Sequence, residues 1–373
     1  MSVFWNSRTR GLSPYVPGDQ PKDRAFIKLN TNENPYPPSP KAVETMRRLL
    51  NGDDGRQAGD SLRLYPDPLC GEFCAAAAKA YSVAPDQVFP GNGSDEVLAF
   101  AFGAFFETGS SAPPVLFPDI TYSFYPVYAR LWGIPFREVP LADDFSLHTG
   151  DYLVPSGGAV IPNPNAPTGR AVSAFGGDGI EALAAFLLEQ NKVLVVDEAY
   201  AAFGAESTVP LTARFSNLLT VHTLSKSASL AGLRAGFAIG SAELVKGLFR
   251  IRDSFNSYTM DRLALVGAAA AVSDRAYYDT VNARVIAARE RSSAALKAMG
   301  FEVVPSKSNF LFARYKDGGG ILTGAFLLKA LRDRGILVRH FDKPRTADYI
   351  RVSIGTDDDM DAFLAACRDI ISA

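Results

Sequence analysis

The sequence has few cysteines, few histidines and no long apolar run. Three cysteines, Cys70, Cys74 and Cys367, form no CxxC pair, which fits a reducing compartment better than a disulfide framework. The three histidines stand alone, without a second ligand at metal-binding spacing, so we expect no metal site. Apolar runs such as 264–272 are far shorter than the roughly 18 residues of a membrane helix. We therefore expect no membrane partner.

The sequence also lacks an excess of either charge. The 373 residues include 38 Lys and Arg against 40 Asp and Glu, and the basic residues are scattered. Because binding to a phosphate backbone needs clustered basic residues, we expect no nucleic-acid partner. The first 18 residues contain no apolar core of a secretory signal, which predicts a cytoplasmic protein.

The length and the residue pattern predict an arm and two domains. Residues 1–40 are rich in Pro, Asn and Gly, and we expect them to form an extended arm. Short apolar runs then alternate with amphipathic stretches over residues 41–250. This pattern predicts an α/β large domain, whose mostly parallel central sheet is covered by helices. Residues 251–373 begin with long helices and end with strands, which predicts an interdomain helix and a smaller α+β domain.

The predicted elements follow from apolar runs for strands and amphipathic periodicity for helices. The predicted strands are 87–90, 115–117, 159–162, 192–196, 218–223, 235–239, 309–314, 336–339 and 349–353. The predicted helices are 95–107, 123–132, 179–190, 242–250, 275–299 and a last one from residue 357 onward. Stretches rich in Gly and Asp predict an exposed loop at 51–61 and a turn at 317–320.

A first chemical signal is the turn Gly91-Asn-Gly93 that precedes Ser94 and Asp95. Glycines allow a tight turn, and the free amide groups at a helix start bind anions. A plain turn capped by Ser94 or Asp95 would give the same pattern. The full GxGxxG pattern is missing because residue 96 is Glu, which disfavours a nicotinamide-dependent oxidoreductase.

Two further signals follow neighbouring apolar strands. Asp197 and Tyr200 come at the end of one strand, where open α/β sheets bind their ligands. The next strand is followed by two hydroxyl groups, a lysine and an arginine: Thr223, Ser225, Lys226 and Arg234. Taken alone, the acid could be a helix cap or a metal ligand, and a lone lysine is usually a solvated surface residue.

Together the three signals match the needs of pyridoxal phosphate. This cofactor acts as an electron sink if a carboxylate keeps its ring nitrogen protonated. A lysine binds its aldehyde and moves a proton, and its phosphate needs a helix start, hydroxyl groups and a cation. Asp197 and Lys226 meet the first two needs. The candidates for the phosphate site are Gly93, Ser94, Asp95, Ser225 and Arg234.

A series of motifs extends over almost the whole chain. They are SPYVPG (13–18), LNTNENPYP (29–37), YPDP (65–68), GNGSDE (91–96), TYS (121–123), NPNAPTG (163–169), DEAY (197–200), SK (225–226), GLRAG (232–236) and RVSIGT (351–356). With this series the chain resembles the fold type I pyridoxal-phosphate aminotransferases of class I/II, and within that family the histidinol-phosphate aminotransferases.

The resemblance implies roles for single residues. Lys226 would bind the cofactor aldehyde, Asp197 the ring nitrogen and Tyr200 the ring oxygen, while Tyr122 would stack on the ring. The phosphate would be surrounded by Ser94, Asp95, Thr223, Ser225 and Arg234, and by Tyr65 from the partner subunit of a homodimer. Arg351 would bind the acidic group of the substrate, with Arg339, Tyr15, Asn34 and Asn309 nearby.

One position departs from the family pattern. The family commonly has Asn directly before Pro-Thr-Gly, where it bonds the ring oxygen, whereas this chain has Ala166. Either Asn165, one residue earlier, takes that role, or Tyr200 bonds the ring oxygen alone.

The resemblance implies amino transfer from L-histidinol phosphate to 2-oxoglutarate, so the partners would be a small amino donor and a keto-acid acceptor. Arg351 suits both reactants because a guanidinium forks to a phosphate or a carboxylate. The alternatives are an aromatic amino acid aminotransferase and a decarboxylase of threonine phosphate. The same fold also serves as the effector module of transcription regulators, but no helix-turn-helix pattern precedes residue 40.

Overall fold

The computed structural model describes residues 3–15, 18–21, 25–53, 55, 57–316 and 322–372. Its α-helices are α1 (Ser7–Gly11), α2 (Pro40–Asn51), α3 (Gly71–Tyr81), α4 (Ser94–Phe105), α5 (Tyr125–Trp132), α6 (Ile180–Glu189), α7 (Ala242–Asp253), α8 (Arg262–Val272), α9 (Arg275–Ala298), α10 (Gly324–Asp333) and α11 (Asp357–Ser372). Its strands are β1 (Ile27–Lys28), β2 (Val88–Gly91), β3 (Val115–Pro118), β4 (Phe136–Val139), β5 (Gly158–Pro162), β6 (Leu194–Asp197), β7 (Leu218–Thr223), β8 (Gly236–Ile239), β9 (Phe301–Val303), β10 (Phe310–Tyr315), β11 (Ile336–Leu337), β12 (Arg339–His340) and β13 (Ile350–Ser353).

The largest sheet has seven strands in the order β2-β8-β7-β6-β5-β3-β4. β8 runs antiparallel to both of its neighbours, and the other pairs are parallel. The register pairs Pro162 with Asp197 and Thr223 with Gly236. The ends of β5, β6 and β7 therefore reach one edge of the sheet, and the predicted α/β fold is confirmed.

Helices cover both faces of this sheet because its strands are apolar on both sides. Val195 of β6 packs in a cluster with residues of α4, α5 and α7, whereas Leu194 and Val196 pack with α6 on the opposite face. All three side chains are fully buried. Each such side chain stabilises the fold by about 1.5–3 kcal/mol relative to an exposed one, so β6 is a rigid support for the residue at its end.

A second, antiparallel sheet has the order β12-β13-β10-β9. Residues of this sheet pack in one cluster with α9, α10 and α11, as expected for the smaller α+β domain. α8 instead packs against α2 and α3 of the preceding part of the chain. The division between residues 250 and 251 stays a prediction.

The arm is more ordered than the sequence suggests. Residues 1–40 were expected to be extended, but the structure places a short helix at α1 and pairs β1 in parallel with β11. The amide of Leu29 donates to the carbonyl of Leu337 over 2.8 Å, and the Leu29 side chain is buried in the small-domain cluster. The arm therefore becomes part of the small domain, through backbone pairing that a Pro-rich composition does not reveal.

Most predicted elements lie within one or two residues of the observed ones. The pattern missed the helices α2, α3, α8 and α10 and the short strands β4 and β9. Of these, α3 and α8 are rich in alanine, which blurs the amphipathic period. The described part of 51–61 is mainly exposed, with Ser61 buried, and it follows the end of α2 at Gly52. The turn predicted at 317–320 lies outside the described residues. Within the part of the chain that the structure describes, no helix is both long and apolar enough to cross a membrane.

Candidate active site

A cavity of about 230 Å³ lies at the carboxyl ends of β5, β6 and β7. The start of α4, the arm and the strands β12 and β13 complete its walls, so both sheets and the arm contribute. The predicted site residues that line it are Tyr15, Ser94, Asp95, Tyr122, Asp197, Tyr200, Thr223, Ser225, Lys226, Arg234, Arg339 and Arg351. The structure thus brings together side chains that are far apart in the sequence.

Lys226 follows β7 and extends into this cavity. Its Nζ donates to the carbonyl oxygen of Thr31 in the arm over 2.9 Å. Burial, reinforced by the positive charge of Arg351, lowers the pKa of Lys226 to about 8. An amine with this pKa is partly neutral near physiological pH, which a nucleophile or a proton carrier requires.

Asp197 ends β6 and is 6% exposed. Burial raises the pKa of this carboxyl to about 6, although Tyr125 and the amide of Ala199 donate hydrogen bonds to it. Above that pH the site contains a desolvated negative charge, which favours a cationic group beside it.

The start of α4 is a candidate anion site. The first amide groups of a helix have no partner within the helix, and Gly93, which precedes α4, provides no side-chain cap. Gly93 has a φ of 85°, and a Cβ there would lie 2.5 Å from the Arg234 guanidinium, so only glycine fits. The Nη1 of Arg234 donates to Ser225 Oγ over 3.1 Å. A cation, hydroxyl groups and helix amides therefore converge.

A second cationic part of the cavity comes from the small domain. Arg351 of β13 donates through Nη2 to the carbonyl of Asn30 over 3.0 Å. Its Nε is buried and has no hydrogen-bond partner among the described residues. The neighbouring strand contributes Arg339, which pairs in register with Arg351. Two guanidinium groups at one wall favour an anionic ligand.

Tyr122 and Tyr200 contribute phenol groups to the cavity. The Tyr122 hydroxyl donates to Asp95 Oδ1 over 2.7 Å, which ties the ring to the start of α4. The Tyr200 hydroxyl accepts from Asn32 Nδ2 over 2.9 Å, so its own proton remains available for a ligand in the cavity.

Some predicted residues do not line the cavity. Asn34 Nδ2 donates to the carbonyl of Lys226 over 3.1 Å, and Asn309 Nδ2 donates to the carbonyl of Asn32 over 2.9 Å. Both side chains hold the backbone around the site instead of facing a ligand. Gly93 lies behind Arg234, and Tyr65 is 77% exposed, with its ring stacked on Tyr258.

Asn165 also lies outside the cavity. Its Nδ2 donates to the carbonyl of Ile120 and to Thr168 Oγ1, over 2.9 and 3.1 Å. Ala166, the next residue, lines the cavity with a side chain that cannot form a hydrogen bond. The structure therefore does not bring Asn165 to the place where the family commonly has its asparagine.

A comparison with protein-family models matches residues 24–366 to the family described as aminotransferase class I and II. The chain belongs to this aminotransferase family. The matched range covers both sheets and nearly all of the cavity, so the predicted family and enzyme class are confirmed.

Individual aminotransferases match along the full chain. The histidinol-phosphate aminotransferase 1 of Bordetella parapertussis is 51% identical over 376 residues, and that of Burkholderia pseudomallei is 50% identical over 373 residues. Each match covers 100% of both chains. The crystal structure of the Sinorhizobium meliloti enzyme of the same name, in complex with pyridoxal-5'-phosphate, has a TM-score of 0.84 at 24% identity, with 100% of this chain and 98% of that chain covered. It supports the fold.

The residues of this aminotransferase fit pyridoxal phosphate. The buried Asp197 carboxylate suits a protonated ring nitrogen, and the Lys226 amine suits the aldehyde. The amides at the start of α4, together with Ser225 and Arg234, suit the phosphate. The space that a Cβ at Gly93 would fill is needed by Arg234, which shows that the anion site is closely built.

Two residues of the site were missed by sequence reasoning. Asn32 has a left-handed φ of 56° and bonds Ser353 as well as Tyr200, so it joins the arm, β13 and the segment after β6. Tyr125 bonds Asp197. Tyr125 lies three residues after Tyr122, a spacing that can place two side chains on one face and could have indicated it.

The lowered pKa of Lys226 gives a test of the site in the cofactor-free protein. We expect acetylation of Lys226 by acetic anhydride to rise with pH around a midpoint of about 8. Because the charge of Arg351 lowers this pKa, Arg351→Gln should raise the midpoint by about half a pH unit or more. Mass spectrometry of the Lys226 peptide gives the midpoint.

Arg291→Gln is the matched control. It removes a guanidinium from a surface contact with Asp357 and Asp361 and should leave the midpoint unchanged. An equal midpoint in Arg351→Gln and the original protein would show that Arg351 does not act on the amine.

Proposed function

We propose that the chain transfers the amino group of L-histidinol phosphate to 2-oxoglutarate, yielding imidazole acetol phosphate and L-glutamate, with pyridoxal phosphate as its cofactor. The observation that carries this proposal is a single cavity with a lysine, a buried carboxylate and two separate cationic groups. Full-length relatives with this printed name, at about 50% identity, support it. Histidine biosynthesis would be the context. The cytoplasmic location stays a prediction.

The cofactor, when bound, supplies the electron sink that stabilises negative charge at the substrate carbon. Lys226 would hold the cofactor aldehyde and, once the substrate amine displaces it, its free amine would take a proton from that carbon and return it elsewhere. A pKa of about 8 leaves part of this amine neutral near neutral pH. Asp197 keeps a negative charge beside the ring nitrogen. Because the charge is preorganised in a desolvated place, it acts more strongly than it would in water.

Each of the two candidate anion sites would bind a different phosphate group. The start of α4 with Ser225 and Arg234 takes the cofactor phosphate, which leaves Arg351 and Arg339 for the substrate. An arginine with an unpartnered buried Nε can fork to the phosphate of histidinol phosphate or to a carboxylate of glutamate. One site thereby serves both half-reactions.

Tyr200 is the proposed donor to the ring oxygen. Ala166 cannot fill the role, and Asn165 uses its amide on Ile120 and Thr168. Tyr200 lines the cavity, and because its oxygen accepts from Asn32, its hydroxyl proton can be donated to the cofactor.

The active unit is proposed to be a homodimer. Large apolar side chains close to Tyr65 in the sequence are exposed, namely Leu62, Leu64 and Leu69, and so is Tyr258, whose ring stacks on that of Tyr65. Exposed apolar side chains grouped in this way are typical of protein interfaces. Tyr65 does not line the cavity of its own chain. This fits the role that the family resemblance implies for it, at the phosphate site of the partner across a two-fold interface.

Dimers that combine two different variants test whether Tyr65 acts in the active site of the partner. Lys226→Ala should be inactive and Tyr65→Ala strongly impaired, but a hybrid of the two should regain activity. One of its two sites receives Lys226 from one chain and Tyr65 from the other. Activity after subunit exchange is the measurement.

The matched control for the mixed dimers combines Lys226→Ala with Asp197→Asn. Neither site of that hybrid is complete if both residues act within one chain, so it should stay inactive. If the hybrid of Lys226→Ala and Tyr65→Ala were no more active than the two variants alone, Tyr65 would not act in the active site of the partner.

Substrate preference tests the reaction. We expect kcat/KM for histidinol phosphate to exceed that for histidinol by about a hundredfold or more, because histidinol lacks the phosphate that would accept from the buried Nε of Arg351. Phenylalanine and tyrosine should be poorer donors, and threonine phosphate should release no carbon dioxide.

A preference for phenylalanine over histidinol phosphate by about tenfold, or roughly 1.4 kcal/mol of transition-state stabilisation, would contradict the proposed substrate. The aminotransferase class would be unaffected by that result.

A further inference from the structure

The carboxylate of Asp197 is held from two sides. The hydroxyl of Tyr125 donates to Oδ2 over 2.8 Å, and the amide of Ala199 donates to Oδ1 over 3.1 Å. Tyr125 is the first residue of α5 and is fully buried. It does not line the cavity, so its hydroxyl can act on a ligand through the bond to Asp197.

We propose that Tyr125 is a positioning residue that keeps Asp197 ionised and directs its free oxygen lone pairs toward the ring nitrogen of the cofactor. This inference rests on the proposed role of Asp197. Tyr125 itself touches neither the cofactor nor the substrate.

The surroundings of Asp197 explain why such a residue is needed. Burial raises the pKa of Asp197, and the negative charge of Asp95 at the start of α4 adds to this effect. The bonds from Tyr125 and Ala199 act in the opposite direction. The other titratable groups near Asp197 are Tyr128 of α5 and Glu198 and Tyr200 after β6. Among these side chains, Tyr125 is the one with a hydrogen bond to the carboxylate.

The Tyr125 ring is fixed by aromatic packing. Its centroid lies 6.3 Å from that of Phe102, 5.8 Å from Phe117 and 5.8 Å from Tyr122, the last two in edge arrangements. A phenylalanine at position 125 keeps these contacts and removes only the oxygen. The variant Tyr125→Phe therefore isolates the hydrogen bond from the packing.

Tyr128 offers a matched control on the same helix. Its side chain is 5% exposed, and its hydroxyl has no hydrogen-bond partner among the described residues. Tyr128→Phe thus removes a buried phenol oxygen near Asp197 without removing a bond to the carboxylate.

The test is the dissociation constant of pyridoxal phosphate, measured by quenching of protein fluorescence between about pH 5 and pH 8. The full-length original protein is compared with Tyr125→Phe, Tyr128→Phe and Asp197→Asn. Removing the Tyr125 hydroxyl raises the pKa of Asp197 further, so the ionised form is lost at a higher pH as the solution is acidified. Urea denaturation midpoints show that each variant is folded.

We expect Tyr125→Phe to weaken binding about tenfold or more near pH 7, and to move the acid limb of the binding curve upward by about one to two pH units. Tyr128→Phe should match the original protein. Asp197→Asn should bind weakly, without that acid limb.

If Tyr125→Phe behaves like Tyr128→Phe while Asp197→Asn loses affinity, the role of Tyr125 is overturned and that of Asp197 stands. If Asp197→Asn binds as tightly as the original protein, both roles are overturned.

Discussion

The structure depends on one electrostatic constraint, the burial of the Asp197 carboxylate at the end of an all-apolar strand. A buried charge without partners costs several kcal/mol, so the fold must surround it with donors and the site must supply a cation. Tyr125 and the amide of Ala199 provide the donors. A protonated ring nitrogen of the proposed cofactor would provide the cation. The apolar sheet makes the burial of the Asp197 charge unfavourable, and it also holds the carboxylate in a fixed place. A fixed, desolvated charge would act strongly on the chemistry at the cofactor.

The basic residues of the site are subject to the same constraint, because burial is unfavourable for positive charges as well. Lys226, Arg234 and Arg351 line one cavity, and burial together with mutual repulsion lowers the pKa of Lys226. Anionic ligands would relieve that repulsion, and the two candidate anion sites would allow the proposed phosphorylated cofactor and phosphorylated substrate to be held together. The arm closes the arrangement, since the carbonyls of Asn30 and Thr31 accept from Arg351 and Lys226. Ordering of the arm and assembly of the site are therefore linked.

The sequence predicted those parts of the site that follow directly from strands. Asp197 and Lys226 come just after apolar runs, and parallel strands bring such positions to one edge. What it could not predict are contacts between residues distant in the chain. Asn32 bonds Ser353, 321 positions later, and Asn309 holds the backbone of Asn32 instead of facing the cavity. The sequence also could not predict where the Asn165 side chain points, because either of two neighbouring residues in a turn can face the cavity while the motif stays the same.

Lys226 is proposed to carry the cofactor at this edge of the sheet. Borohydride reduction of the cofactor-loaded protein, followed by digestion and mass spectrometry, locates the lysine that forms the covalent link. We expect one modified peptide, with the phosphopyridoxyl mass on Lys226 and none on the exposed lysines. A reduced link on any other lysine, with Lys226 unmodified, would contradict it.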